Sequence, residues 1–222
     1  MLCLIKIWVQ GREEWNVTID GAALRTMLLG GAERVKAHVE ELTEIDSRFG
    51  DGDHGFTMQK IALYIEDRAK AWDGADMAGF LDDLGMGIME IRGGSAGPLY
   101  GTLIGGLGAE IGGLAALDGA GAKAMLEGCL AEMEEVTTAG IGDKTMMDAL
   151  IPAVRAAGAS EGAADEVWQA AAAAAEKGAE ESRNFVSKYG RARSYKEATI
   201  GTPDAGAVSV SLFLRGMADA LQ

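Results

Sequence analysis

The chain has 222 residues, a formal net charge of −14 and 48% hydrophobic residues, of which few are aromatic. This length suits one domain with a sizeable core, and the alanine-rich composition favours closely packed helices over a β-sandwich. The negative charge excludes a nucleic-acid surface, which needs a basic patch, and means that any anionic ligand must be met by a metal ion or local cations.

The first 17 residues are predicted to be an N-terminal extension, followed by one domain at residues 18–222. Their apolar run at residues 1–9 is too short to span a membrane, and no signal-peptide cleavage site follows it. Cys3 and Cys129 lack metal-ligand spacing, which indicates free thiols in a reducing compartment. We therefore expect a cytoplasmic protein with no membrane and no nucleic-acid partner.

Helical periodicity of apolar residues recurs along the rest of the chain, and no stretch alternates clearly enough to predict a strand. The predicted helices cover residues 20–43, 58–72, 77–91, 99–117, 123–138, 146–157, 163–189 and 207–221. Glycines throughout the fourth helix predict close helix contacts or a backbone near a ligand, and Pro152 predicts a kink in the sixth. The expected fold class is all-α, an eight-helix up-and-down bundle.

A glycine-punctuated turn after the first predicted helix carries Asp46, Asp51 and Asp53. Carboxylates this close repel one another and are pushed toward protonation unless a cation neutralises them. Hard oxygen ligands suit magnesium, which often shares its coordination shell with substrate phosphates. The turn therefore predicts a site for phosphate held through magnesium, and the alternative is an acidic loop that only links two helices.

Other motifs with similar letters are excluded at this turn. An EF-hand loop starting at Asp51 would place Gly55 and Ala62 at ligand positions. The letters G-x-G-x-x-G at residues 50–55 follow a helical pattern rather than a strand, and they would set two aspartates against the phosphates. No G-x-x-x-x-G-K-[ST] sequence occurs, which excludes a P-loop.

Three further turns, at residues 93–97, 142–145 and 204–206, each precede a predicted helix whose N-terminal amides can bind anions. Because alternate loops of an up-and-down bundle gather at one end, these turns and the aspartate turn predict one rim. Arg48, Lys144 and Arg191 are the candidate cations there. Metal carboxylates, glycine amides and cations together are typical of phosphoryl transfer. The alternatives are that Lys144 is an exposed turn lysine and that Arg191 is a helix-capping charge.

Four motifs resemble, in this order, those of the nucleotide-binding L subunits of dihydroxyacetone kinases. They are Asp46-x4-Asp51-Gly-Asp53-His54-Gly55, the glycine-rich residues 93–102, Gly142-Asp143-Lys144-Thr145-Met146, and Gly190-Arg191-Ala192 with Gly201-x2-Asp204-x-Gly206-Ala207. The resemblance runs from about residue 20 to the end of the chain. It implies an antiparallel eight-helix barrel with the nucleotide site at the loop end.

The resemblance also implies which residues hold the ligands. Two magnesium ions on Asp46, Asp51 and Asp53 would bridge the protein to ADP or ATP. Arg191 would bind the nucleotide and stabilise charge on the transferring phosphoryl group. The remaining implied nucleotide-binding residues are His54, Gly55, Phe56, Thr57, Gly94, Ser95, Ala96, Met146, Asp204, Ala205 and Gly206.

The implied activity is that of a phosphotransferase subunit that passes phosphate to dihydroxyacetone held on a partner K-type subunit. A phosphohistidine protein of the sugar phosphotransferase system would recharge the bound nucleotide, with exchanging ATP as the alternative donor. The same motifs are also compatible with a kinase subunit for another short ketose or tetrulose. A nucleotide-sensing subunit that docks on a transcription regulator would keep the aspartate turn as well.

Some positions depart from the family pattern. Ser95-Ala96 stands where alanine then serine is common, and Thr202-Pro203-Asp204-Ala205-Gly206 stands where His-x-Asp-Pro-Gly is common. A sister family, the nucleotide-binding domain of fatty acid kinase, carries threonine at the position of His54. His54 therefore favours the dihydroxyacetone branch.

Overall fold

The computed structural model describes residues 3–9 and 12–222, with side chains from residue 17 onward. Strands β1 (Cys3–Val9) and β2 (Arg12–Asp20) form an antiparallel pair in which Cys3 is opposite Thr18. Strand β2 also pairs antiparallel with β3 (Ala116–Leu117), where Ile19 is opposite Leu117. The expected extension at residues 1–17 lies partly outside the described residues, and its boundary with an 18–222 domain stays a prediction.

The expectation of no strand was wrong for residues 3–9, 12–20 and 116–117. Trp15, Val17 and Ile19 alternate with polar residues, which is the period of a strand with one buried face. Ile19 is fully buried where β2 meets β3. The alternation is short and ends at Asp20, which caps the next helix by accepting from the Ala23 amide at 2.8 Å. The strand was therefore missed beside the stronger helical pattern that follows it.

Nine α-helices follow within the described residues, and the all-α prediction is confirmed. They are α1 (Gly21–Ala37), α2 (Val39–Ser47), α3 (His54–Ala71), α4 (Met77–Met89), α5 (Ala96–Gly106), α6 (Gly119–Val136), α7 (Met147–Ala159), α8 (Ala164–Glu181) and α9 (Ala205–Asp219). Two 3-10 segments, Ser182–Asn184 and Arg191–Thr199, lie between α8 and α9. Within residues 3–9 and 12–222, no helix is both long and apolar enough to cross a membrane.

Three predicted helices differ in extent from their patterns by the largest amounts. The first divides at His38, whose backbone leaves helical geometry at φ −116° and ψ 18°. The fourth ends at Gly106, after which the chain makes turns rich in glycine. The seventh ends at Glu181 and passes into a 3-10 turn, where the Ser182 carbonyl accepts from the Phe185 amide and from the side chain of Lys144. Helix α7 runs through Pro152 without ending.

The helices pack with their neighbours around one apolar core, and α1 also packs on α9, which brings the two ends of the helical chain together. Glycines make the closest approaches. A Cβ at Gly216 in α9 would lie 2.4 Å from the Gly30 carbonyl oxygen in α1, and one at Gly85 would lie 2.6 Å from the Gly101 carbonyl oxygen. The close contacts predicted for the glycines of the fourth helix are therefore present at Gly101.

Candidate functional site

The four turns singled out in the sequence meet at one end of the molecule, around a cavity of about 660 Å³. The predicted site residues that line this cavity come from all four turns and from the 3-10 segment before α9. They are Asp46, Asp51, Asp53, His54, Gly94, Ser95, Ala96, Met146, Arg191, Asp204, Ala205 and Gly206. A volume of this size lies within the range that small-molecule ligands occupy.

Three predicted site residues do not line the cavity. Phe56 is 56% exposed, and Gly55 and Thr57 are buried. A Cβ at Gly55 would lie 2.3 Å from the Val39 carbonyl oxygen, so this glycine lets α3 approach α2. Thr57 lies under the glycine-serine turn, because a Cβ at Gly93 would lie 2.0 Å from its Oγ1. Both residues therefore support the walls of the site.

The aspartate turn brings its three carboxylates together. Oxygen atoms of Asp46, Asp51 and Asp53 lie within 4.8 Å of one another, at the end of α2 and the start of α3. Partial burial and the charges of Asp51 and Asp46 raise the pKa of the Asp53 carboxyl, and Arg191 opposes this shift. Three mutually repelling carboxylate oxygens at this spacing fit a hard divalent cation such as magnesium.

Arg191 forms an ion pair with this cluster. Its Nη2 lies 2.7 Å from Asp51 Oδ2, and its side chain is 71% exposed. Gly190, with φ +62°, turns the chain into the segment that carries it. Arg48 instead contacts Glu44 at 3.3 Å and is not among the residues lining the cavity. Of the candidate cations in the described part of the chain, Arg191 and Lys144 therefore line the cavity.

Lys144 is buried, so its alternative interpretation as an exposed turn lysine was wrong. Its Nζ donates to the carbonyl oxygens of Ser182, at 2.7 Å, and of Thr202. Its backbone has φ +59°, a conformation uncommon for residues other than glycine. Burial lowers the pKa of its ammonium group, while Asp204 and then Asp148 oppose this shift. The lysine thus ties the third turn to both ends of the segment between α8 and α9.

Asp148 stabilises the same turn, at residues 142–145, although it was not identified from the sequence. Its buried carboxylate accepts from the backbone amides of Gly142, at 2.6 Å, and Thr145, at 2.7 Å. Burial raises the pKa of this carboxyl and these amides oppose the shift. An aspartate three residues after a threonine at a helix start was the only available signal for this role.

Asp204 caps α9 at the wall of the cavity. Part of the residue faces the cavity, but its carboxyl group is enclosed and accepts from the Ala207 amide at 2.8 Å. Burial raises the pKa of this carboxyl to about 7, against the amide of Ala207 and the charge of Lys144. Ala205 and Gly206, in the first turn of α9, line the cavity, and amides at a helix N-terminus bind anions.

The glycine-serine turn provides a second helix start. Ser95 precedes α5 and makes no side-chain capping bond. Gly94 has φ +57° and has no atom within 4 Å of an added Cβ, so its backbone faces open space. The cavity is therefore bordered by two helix N-termini and one carboxylate cluster, which is an arrangement for an anion held partly through a cation.

His54 follows the aspartate turn as the first residue of α3, and its ring nitrogen Nε2 lies 3.0 Å from Ser209 Oγ in α9. Burial lowers the pKa of the His54 imidazole, against the charge of Asp46 and the backbone of Ala205. Tyr100 is buried and donates its hydroxyl to the same Ser209 Oγ at 2.7 Å. Tyr100 and Ser209 carried no signal in the sequence, because one belongs to an apolar helix face and the other to a helix interior.

Comparison with known proteins gives one family and several relatives. The model of the DAK2 domain matches residues 48–219. The chain is 34% identical over 193 residues to the D-erythrulose kinase of Mycolicibacterium smegmatis, covering 85% of this chain and 33% of that protein. It is 30% identical over 201 residues to an ADP-binding subunit DhaL of a PEP-dependent dihydroxyacetone kinase from Listeria innocua. This alignment covers 87% of this chain and 92% of that subunit.

The fold has a counterpart among solved structures. The dihydroxyacetone kinase from C. freundii in complex with AMP-PNP and Mg2+ matches with a TM-score of 0.71 and 23% identity, over 99% of this chain and 37% of that one. The chain thus spans about a third of the length of the erythrulose kinase and of this structure, and most of the length of the Listeria subunit.

Proposed function

The chain belongs to the DAK2 domain family, and from this premise we propose that it is the nucleotide-binding subunit of a kinase for dihydroxyacetone or a related short ketose. The observation that carries the proposal is the cavity itself. A cluster of three carboxylates and the N-terminus of α9 face one space, so a metal-bound diphosphate can meet both. Its relatives of similar length are named as ADP-binding subunits.

Each part of the site has a role in this proposal. Asp46, Asp51 and Asp53 would hold magnesium, which when bound neutralises charge on the phosphate oxygens. Ser95 and Ala96, at the start of α5, and Ala205 and Gly206, at the start of α9, would bind the nucleotide with backbone amides and small side chains. His54 and Met146 complete the walls.

Arg191 would stabilise the charge on the transferring phosphoryl group. Its guanidinium group already lies at the aspartate cluster, and its exposed side chain on a short 3-10 segment can reach a phosphate bound there. A planar group with several donors suits this role, because it can contact two phosphate oxygens together. We propose Arg191 as the catalytic residue for this reason.

The acceptor sugar would be held by a K-type partner subunit, and a phosphohistidine protein would recharge the nucleotide. The supporting observation is that the Listeria relatives are subunits of PEP-dependent kinases. The alternative donor is ATP. A second acceptor, erythrulose, is favoured by the 34% identity to the D-erythrulose kinase. A transcription-regulator partner receives no support from the relatives, and a cytoplasmic location stays a prediction.

The test is a coupled assay of ketose phosphate formation. The chain is assayed alone with ATP, with a K-type partner and ATP, and with that partner and the phosphohistidine donor, each with dihydroxyacetone and with erythrulose. We expect turnover only when the partner is present, because positioning of the acceptor supplies much of the catalysis in phosphoryl transfer. Robust turnover by the chain alone would contradict the subunit role, and turnover with partner and ATP alone would assign ATP as the donor.

A further inference from the structure

Ser209 joins three elements of the site through a single oxygen atom. It lies in α9 and is fully buried. Its Oγ lies 2.7 Å from the Tyr100 hydroxyl in α5, 3.0 Å from Nε2 of His54 in α3, and 3.0 Å from the Gly206 carbonyl oxygen in the first turn of α9. Every partner of this hydroxyl therefore comes from a segment that also lines the cavity.

The protons available around Ser209 leave it little freedom to rotate. A serine hydroxyl has one proton to donate and two lone pairs to accept with. Tyr100 donates its proton to Ser209, and burial keeps this phenol protonated by raising its pKa. The ring nitrogen of His54 and the Gly206 carbonyl take the two remaining directions. An enclosed network with every member satisfied specifies one arrangement of its side chains.

His54 connects this network to the aspartate turn. His54 follows Asp53 directly, and its backbone amide lies 3.4 Å from Asp46 Oδ2. At the other end of the network, Gly206 belongs to the anion-binding turn that begins at Asp204. The hydrogen bonds through Ser209 thus run from the aspartate turn to the start of α9, across the base of the cavity.

We propose that Ser209 and Tyr100 are positioning residues that hold the imidazole of His54, and through it set the spacing between the aspartate turn and the start of α9. This inference rests on the proposed function, because a ligand that bridges both regions binds well only when their spacing is correct. Ser209 does not line the cavity, and Tyr100, which does, has its hydroxyl hydrogen-bonded to Ser209. The ordinary alternative is that the two hydroxyls only satisfy one another inside the core.

The chain is well suited to a direct test, because it contains only two histidines. Long-range ¹H–¹⁵N NMR spectra of the full chain without nucleotide report the ring nitrogens of both. His38 serves as an internal reference, since its Nδ1 is bonded to the Arg34 carbonyl, 2.7 Å away. The variants are Ser209→Ala and Tyr100→Phe, with Ser209→Thr as the conservative replacement that keeps the hydroxyl.

Ser211→Ala is the matched control. Ser211 lies in the same helix, is also buried, and bonds to the Val208 carbonyl at 2.8 Å rather than to His54. We expect the His54 ring signals to shift in Ser209→Ala and, less, in Tyr100→Phe, and to stay in place in Ser211→Ala. With magnesium present, ADP affinity measured by calorimetry should fall about fivefold in Ser209→Ala, the effect of one net hydrogen bond, and recover in Ser209→Thr.

The outcomes separate this inference from the proposed function. Unchanged His54 signals in Ser209→Ala would overturn the contact, and shifted signals with unchanged ADP affinity would overturn the positioning role. If Ser209→Ala loses its helical circular dichroism, Tyr100→Phe decides the matter, because it keeps the ring that fills the core. Failure of the unmodified chain to bind ADP would refute the proposed function, while the NMR result would still test the contact.

Discussion

Two groups of carboxylates at the same end of this molecule are built in opposite ways. Asp46, Asp51 and Asp53 are partly exposed and lie within 4.8 Å of one another, and at Asp53 partial burial and the repulsion from its neighbours together outweigh the attraction of Arg191. Asp148 and Asp204 are enclosed, accept backbone amides and lie beside the buried ammonium of Lys144. The carboxylates of the first group mainly repel one another, whereas those of the second are hydrogen-bonded to backbone amides within the chain.

This difference predicts which group of carboxylates is needed for ligand binding and which is needed for folding. A buried charge that keeps its partner is tolerated, but one left without its partner is costly, so the Lys144 group should be needed for folding. Exposed carboxylates that repel are tolerated because water screens them, so the aspartate turn should be needed for ligand binding instead. The following experiments test this division.

The largest expected effect is on stability, from Lys144→Met. This change leaves the carbonyls of Ser182 and Thr202 without the ammonium donor of Lys144 and removes a positive charge near Asp204. We expect the free energy of unfolding to fall by roughly 2 to 4 kcal/mol, because two buried carbonyl oxygens lose a hydrogen-bond donor. Urea denaturation followed by circular dichroism measures it.

The matched control is Lys188→Met. Lys188 pairs with Asp143 at 2.6 Å but its side chain is 60% exposed, so a much smaller loss of stability than in Lys144→Met is expected. Equal losses in the two variants would show that the Lys144 group is not the enclosed unit that we describe.

The second effect is on ligand binding, from Asp51→Asn. Removing one carboxylate from the aspartate turn should lower magnesium-dependent ADP affinity by roughly 100-fold. Metal affinity falls by up to about this factor even when only a residue hydrogen-bonded to a metal ligand is replaced. The metal-free protein should keep its stability or gain some, because one repulsion is removed. Calorimetry with and without magnesium, beside thermal unfolding, gives both values. An Asp51→Asn protein with full ADP affinity would show that Asp51 is not a ligand.

The third effect is a pH dependence from Asp204. Its folded pKa of about 7 lies above its ordinary 3.8, so the fold favours the protonated carboxyl. This contribution to stability is complete below pH 3.8 and is lost as the pH rises through about 7.

Asp204→Asn keeps a helix-capping side chain but cannot titrate. The unfolding free energy of the parent relative to this variant should therefore fall between pH 5 and pH 7, by about 1.4 kcal/mol per unit at most. Urea denaturation at four pH values from 5 to 8 measures the difference, which cancels the titration of other groups. A difference that stays constant with pH would mean that the Asp204 carboxyl is ionised throughout.

The smallest effect concerns Arg191, which contacts the aspartate turn through Asp51. In the protein without nucleotide, Arg191→Gln removes a cation that competes for Asp51, so manganese alone should bind about two- to fivefold more tightly, as for an exposed pair. In the presence of magnesium, ADP should bind more weakly because a phosphate partner is lost.

We therefore expect Arg191→Gln to change the two affinities in opposite directions, with manganese bound more tightly and ADP more weakly. Arg193→Gln is the control, since Arg193 is exposed nearby and is not among the cavity-lining residues. If Arg191→Gln weakened manganese binding, the arginine would be supporting the carboxylate cluster rather than competing for it.

Local pattern was enough to predict the helices and the turns that carry the candidate ligands. Helical periodicity survives wherever one face of a helix packs on the core, and Asp46, Asp51 and Asp53 are close in space because they are close in the chain. Where tertiary contacts compete with local preference, the prediction was wrong. Helix α8 ends at Glu181, where the Ser182 carbonyl accepts from the side chain of the distant Lys144. Strand β2 pairs with β1 and, at its end, with the distant β3.

The sequence by itself therefore determined the all-α class, the family resemblance and the acidic turn, since each depends on residues within one or two turns of chain. Only the tertiary structure decided that Lys144 is buried, that Tyr100 bonds to Ser209 and that Ser209 bonds to His54. The paired residues Tyr100 and Ser209 are 109 positions apart. Their hydrogen bond depends on how α5 and α9 pack, and no local propensity records the relative position of two distant helices.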